Sequence, residues 1–134
     1  MADKTLDEIQ IGSTTYNLNA YSFNINRDVN KRGRPSSEVR GGIISATIEA
    51  LDQEYTLWAL GLEDTEPTNG KITIRNKTTN ELSREIEFEG AYVVAYSEHL
   101  SQDDTESVKI SVTISCHKLK VGENALENDW PDMA

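Results

Sequence analysis

From Val108 to His117 apolar and polar side chains alternate without a break. Val108, Ile110, Val112, Ile114 and Cys116 fall on one phase, and Lys109, Ser111, Thr113, Ser115 and His117 on the other. Only an extended strand has a side-chain period of two, so this run specifies a strand with one face in a core and the other small and polar. The same period, less regular, governs most of the chain. Leu6 to Ile11 reads as a first strand, followed by a turn at Gly12-Ser13. Tyr16, Leu18 and Ala20 then alternate on one phase and Tyr21, Phe23 and Ile25 on the other, which requires a bulge or a strand covered on both faces. Ile44, Ala46, Ile48 and Ala50 share one face of a third strand, entered through a flexible joint at Gly41-Gly42. Lys71 to Asn76 and Leu82 to Phe88 form a hairpin across Lys77-Thr78-Thr79-Asn80, with Ile72 and Ile74 facing Leu82, Ile86 and Phe88. Gly90 resets the register before Tyr92, Val94 and Tyr96.

One stretch breaks the alternation. Leu51, Tyr55, Trp58 and Leu62 fall at i, i+4, i+7 and i+11, Asp52 is a candidate N-cap and Gly61 a candidate terminator, so residues 52–61 are expected to form a short amphipathic helix. Its Tyr55 and Trp58 are expected to pack against the sheet. Residues 63–70 read as a loop, and Gly122 to Ala134 as an acidic tail. About seven strands and one helix imply a mainly β fold, a compact β-barrel or sandwich of antiparallel strands with one short flanking α-helix and a long extended loop. The length of 134 residues suits one domain, residues 1–134.

The long loop, about residues 28–42, is where charge departs from the rest. Residues 26–42 contain five of the thirteen basic residues, Arg27, Lys31, Arg32, Arg34 and Arg40, against Asp28 and Glu38. This segment carries +3, which leaves −13 for the remainder of a chain whose total is −10. A subunit polarised in this way attracts copies of itself head to tail. The competing reading is a solvated loop in which Gly33 and Pro35 only satisfy turn geometry.

The excess of acid argues against general binding of nucleic acid or anionic membrane, and no aromatic residues are interleaved in residues 27–40 to stack on bases. No apolar run is long enough to span a bilayer, and residues 1–20 lack the features of a signal peptide. The single cysteine, Cys116, excludes an internal disulfide and fits a reducing compartment. Cys116 and His117 are strand neighbours pointing to opposite faces, so they do not form a metal site, and Cys116 is expected in the core. His99 beside Glu98 has no accompanying nucleophile. Asp103-Asp104-Thr105-Glu106 lacks the spacing and glycine of a calcium loop, and Gly41-Gly42 lacks the lysine of a phosphate cradle. No catalytic, metal or cofactor site is expected.

Several segments, in their order and spacing, carry a resemblance. They are Asn26-Arg27-Asp28-Val29, Gly33-Arg34-Pro35-Ser36-Ser37, Gly41-Gly42, Tyr92-Val93-Val94-Ala95-Tyr96-Ser97-Glu98, Val112-Thr113-Ile114-Ser115, Lys118-Leu119-Lys120-Val121-Gly122 and Glu127-Asn128-Asp129-Trp130-Pro131. Together they resemble the tube protein of type VI secretion systems, Hcp or TssD, in its Bacteroidota-type branch. The resemblance implies a homohexameric ring, rings stacked into a hollow tube inside a contractile sheath, a spike protein at the tip and effectors in the lumen. It also implies assembly in the cytoplasm and export by the apparatus itself.

In that family the loop between the second and third strands reaches the adjacent ring, which here designates Arg27, Asp28, Lys31, Arg32, Gly33, Arg34, Pro35 and Arg40. Two acidic surfaces are candidates to receive it: Glu63, Asp64 and Glu66, or Asp103, Asp104 and Glu106. Ser111, Thr113 and Ser115 face either bulk water or a lumen. Trp130 is either part of a free end or an anchor in a neighbouring subunit. Two other classes stay open, a monomeric β-sandwich that binds a carbohydrate or protein ligand and a nucleic-acid binder using the basic loop.

Overall fold

The computed structural model describes residues 7–62, 67–100 and 108–128. Its elements are β1 (Glu8–Ile11), β2 (Thr14–Asn26), β3 (Arg40–Glu49), α1 (Thr56–Leu62), β4 (Thr68–Arg75), β5 (Leu82–Leu100), β6 (Val108–Val121) and β7 (Asn124–Glu127). Every pairing is antiparallel in the order β3-β2-β1-β4-β5-β6-β7, and a further β3–β6 pairing closes the first six strands into a barrel. The expected mainly β barrel with one short helix is what forms.

The alternation in β6 does what its period dictates: Ile110, Val112, Ile114 and Cys116 are buried while their neighbours stay partly exposed. Burial alone pushes the Cys116 thiol up to about 12. The phase change in β2 is met by register shifts between Leu18 and Ala20 and between Phe23 and Ile25. In the hairpin, Ile72 and Ile86 pair and are both buried, but Leu82 lies opposite Arg75 past a register shift and is 52% exposed. Gly90 does change the phase of β5, though onto the other set of residues. With φ +61 it follows buried Ile86 and Phe88 and hands the core face to Ala91 and Val93, so Val94 turns outward.

Four expected boundaries are corrected. The loop expected over residues 63–70 ends earlier, because Thr68, Asn69 and Gly70 already belong to β4, where Gly70 lies opposite Ile11 and Phe88. The helix begins at Thr56, not Asp52, because Gln53 at φ +53 turns the chain and the Glu54 carboxylate accepts the Thr56 backbone N–H at 3.2 Å. The other oxygen of Glu54 accepts the Tyr16 hydroxyl at 2.8 Å, which ties the helix start to β2. Leu57 is the buried residue of α1, whereas Tyr55, Trp58 and Leu62 stay more than half exposed; Trp58 meets the sheet as expected, edge-on against Tyr96 of β5, but outside the core. Gly41-Gly42 lies inside β3 and is no loose joint; Gly42 adopts φ +95 where a Cβ would meet the Cys116 carbonyl oxygen at 2.9 Å. The tail likewise starts with structure, since Gly122 at φ +66 turns the chain so that Asn124–Glu127 pairs with Lys118–Val121 as β7.

Candidate functional site

The basic loop is an ordered tongue. Val29 and Pro35 form an isolated antiparallel bridge, Asn30 N–H donates to the Arg34 carbonyl at 2.9 Å and Ser36 N–H to the Asp28 carbonyl at 2.8 Å. At the tip the Asn30 side-chain oxygen accepts the N–H groups of Arg32 and Arg34, and Gly33 takes φ +82 to complete the turn. At the base Arg40 grips Asp28 with two parallel hydrogen bonds of 3.0 and 2.9 Å, while the Ser37 hydroxyl accepts Asp28 N–H. Arg27 donates to the Ser37 carbonyl. Asp28 and Arg40 therefore serve the shape of the loop. Lys31, Arg32 and Arg34 project from its tip exposed, and the ion pairs among the described residues include none of the three.

The Arg40 guanidinium, by hydrogen bonding and then by charge, holds the Asp28 carboxyl below the usual carboxylate range. A lowered folded-state value means that the clamp operates above the ordinary carboxylate pKa, about 3.9, and is lost as pH falls through the lowered one. Arg40→Gln should release the base of the tongue at neutral pH. Limited trypsin digestion is expected to cut several-fold faster after Lys31 or Arg32 in that variant. Equal cleavage of variant and native protein would show that the turn holds without the clamp.

A second surface emerges from the register. Across four adjacent strands Ser22, Ser45, Thr113 and Ala95 form one row, and Ala20, Thr47, Ser111 and Ser97 form the next. All of these side chains stand on the face opposite the core. Below them Lys109 approaches Glu49 at 3.5 Å, so the bottom of the face carries paired charge. The expected residues Ser111, Thr113 and Ser115 are one strand of this wall. The contributions of β2, β3 and β5 were missed, although Ser45 and Thr47 are visible in the alternation of Ile44, Ala46 and Ile48.

The wall is also open on both sides. Beyond Leu18, β2 pairs only with β3, and beyond Ala91, β5 pairs only with β6. Residues 19–26 and 92–100 each leave a strand edge with no ladder partner among the described residues. Closure of the barrel protects neither edge, because β1 and β4 are too short to follow β2 and β5 along their full length.

The elements that flank the two acidic candidates lie at different levels. Glu63, Asp64 and Glu66, and Asp103, Asp104 and Glu106, lie outside the described residues, as does Trp130, but the elements that flank them are placed. Leu100 and Val108 pair with each other, and Ala50 N–H donates to the Val108 carbonyl, so these two strand ends lie at the end of the wall away from the tongue. Residues 63–66 join Leu62, which lies beside Val93 and Val94, to Thr68, which pairs with Ala91, so their anchors are midway along β5.

Against known proteins, the model of one family, hemolysin coregulated protein Hcp (TssD), matches residues 5–131. The chain belongs to the Hcp family. Hcp chains are type VI secretion tube proteins and not an enzyme family. Among solved structures, Hcp1 from Flavobacterium johnsoniae has 22% identity and a TM-score of 0.84, with 92% of this chain and 100% of that one covered. Hcp1 from Salmonella typhimurium has 11% identity and a TM-score of 0.69, with 91% and 92% covered. A chain of an extracellular contractile injection system, the PVC sheath-tube complex in its extended state, has 12% identity and a TM-score of 0.61, with 89% of each covered. No curated protein matches the chain. Among the described residues no helix is long and apolar enough to cross a membrane.

Proposed function

We propose that this chain forms homohexameric rings that stack head to tail into a hollow tube, which carries effectors when a surrounding sheath contracts. The observation that carries the reading is the wall of small side chains with two open edges. An exposed strand edge is a template for another chain. Joining the β2 edge of one copy to the β5 edge of the next is a heterologous contact, and such contacts close into a ring when the rotation permits. The wall then turns its uncharged rows, Ser111, Thr113 and Ser115 among them, toward the axis. The rows through Ser111 and Thr113 carry neither charge nor large apolar groups and so hold cargo weakly, as a conduit requires, while Ser115 shares its row with Ile43 and Tyr92.

Stacking follows from charge placed at two ends. The tongue presents Lys31, Arg32 and Arg34 at one end of the wall, and Asp103, Asp104 and Glu106 belong to the connection at the other. This favours them over Glu63, Asp64 and Glu66 as the surface that receives the tongue. Six copies of −10 sum to about −60 per ring, so rings repel unless such contacts form. The likeness to the Flavobacterium protein supports the Bacteroidota-type branch, and sheath, tip spike and effectors are partners by family. Assembly in the cytoplasm and export through the apparatus belong to the same reading.

The test is mass and shape in solution. Six copies of 15.0 kDa give about 90 kDa, and negative-stain images should show rings with an axial hole. A single species of 15.0 kDa at micromolar concentration overturns the ring and favours the monomeric binding module.

A further inference from the structure

Two apolar surfaces remain unexplained by the barrel. The first is a ridge on α1 and β5, where Tyr55 is 66%, Trp58 52%, Leu62 69% and Val94 58% exposed. Trp58 is held there by an edge-on contact with Tyr96, centroids 5.6 Å apart, so a large flat side chain is presented in one orientation. The second is an open groove of about 550 Å³ lined by Phe23, Ile25, Val39, Leu119, Val121 and Leu126. Leaving either in water forfeits apolar burial of about 25 cal/mol per Å², and exposed apolar patches of this kind mark interaction sites.

Their positions match one another. The ridge lies beside the open edge of β5 and the groove beside the open edge of β2. Phe23 pairs with buried Ile44 and Tyr96 with buried Val112, so both surfaces lie on the core side of the wall. The ridge segments 50–62 and 92–100 contain Asp52, Glu54 and Glu98 with no lysine or arginine, and the groove is rimmed by both signs, Arg27, Arg40, Lys118 and Lys120 beside Glu38, Glu123 and Glu127. We infer that the Trp58 ridge of one copy seats in the Phe23–Leu126 groove of the next copy around the ring. This rests on the ring reading above and gives it its apolar anchor, with an aromatic at the centre and charge at the margin, as hot spots are built.

Disulfide trapping tests it, because Cys116 is fully buried and does not compete. The double variant Trp58→Cys with Ile25→Cys, oxidised after assembly, should yield a covalent ladder that stops at six copies on a denaturing non-reducing gel. Mixing the two single variants should give linked dimers only. Tyr55→Cys with Ile25→Cys is a second pair in case the loss of Trp58 disturbs the fold. Rings of full mass without cross-links from either pair overturn the inference and leave the ring reading standing. Efficient linkage of Ile25→Cys to Trp130→Cys in its place assigns the groove to the tail and overturns it equally. A native chain that is monomeric removes both readings.

Discussion

Arg32→Glu combined with Arg34→Glu is expected to leave rings intact and eliminate long tubes. The double change lowers each copy by four charges and each ring of six by about twenty-four, and it turns the tongue segment from +3 to −1. One exposed ion pair is worth only about 0–1 kcal/mol, so the effect of a single pair on stacking is small. In the proposed stack six identical contacts would act together at every ring junction, and reversing their sign would replace six attractions by six repulsions on top of the ring's own negative charge. The variant residues lie at the exposed tip, where the turn is held by the Asn30 side chain and backbone groups, so folding and ring closure should be unaffected. Negative-stain images should show rings alone, and added salt should restore only short stacks by screening. Asp103→Lys with Asp104→Lys in the same protein should bring tubes back if that connection receives the tongue. Tubes of normal length from the first double variant would rule out the charged contact.

The second large effect concerns the barrel. Gly70→Ala is expected to lower the melting temperature by about 10 °C or more, corresponding to about 3 kcal/mol. Gly70 lies opposite Ile11 on β1 and Phe88 on β5, at the crowded junction where β4 joins the two halves of the barrel. A Cβ there would overlap the Gln10 carbonyl oxygen and come within 2.6 Å of Phe88 Cζ. One obstacle is backbone in a ladder and the other is a ring that is 1% exposed, so neither yields cheaply. Gly33→Ala is the comparison. Its Cβ meets nothing within 4 Å, and its cost is the left-handed φ of +82, about 1–2 kcal/mol and confined to the tongue. Thermal melts of the two variants should therefore separate clearly, and a Gly70→Ala melt within about 2 °C of native would refute the packing argument.

Much of the barrel was legible because its signal is local. The alternation from Val108 to Cys116 names its own inward face, and Tyr16 to Ile25 announces a bulge by changing phase. The resemblance carried by Arg27 to Gly42 and by the segment from Tyr92 points to the family that the match over residues 5–131 shows. The errors fell where local pattern and tertiary context disagree. The Leu51, Tyr55, Trp58 and Leu62 stripe looks like a core face, but in the fold Leu57 takes that place and the stripe is left outside. Gly90 implies a change of phase in the strand but not its direction, since the new phase is set by which residues of β6 lie opposite.

Strand period, charge segregation and the motif order are properties of neighbouring residues, and the chain alone determined them: a mainly β fold, a polar face on β6, and a basic loop set against an acidic remainder. Only the tertiary structure decided which strands lie side by side. That ordering put the small residues of β2, β3, β5 and β6 into common rows, left two edges open, and set the tongue and the strand ends at Leu100 and Val108 at opposite ends of the wall. Pairing between strands distant in sequence depends on the simultaneous burial of all their inward faces, and no local window of residues contains that information.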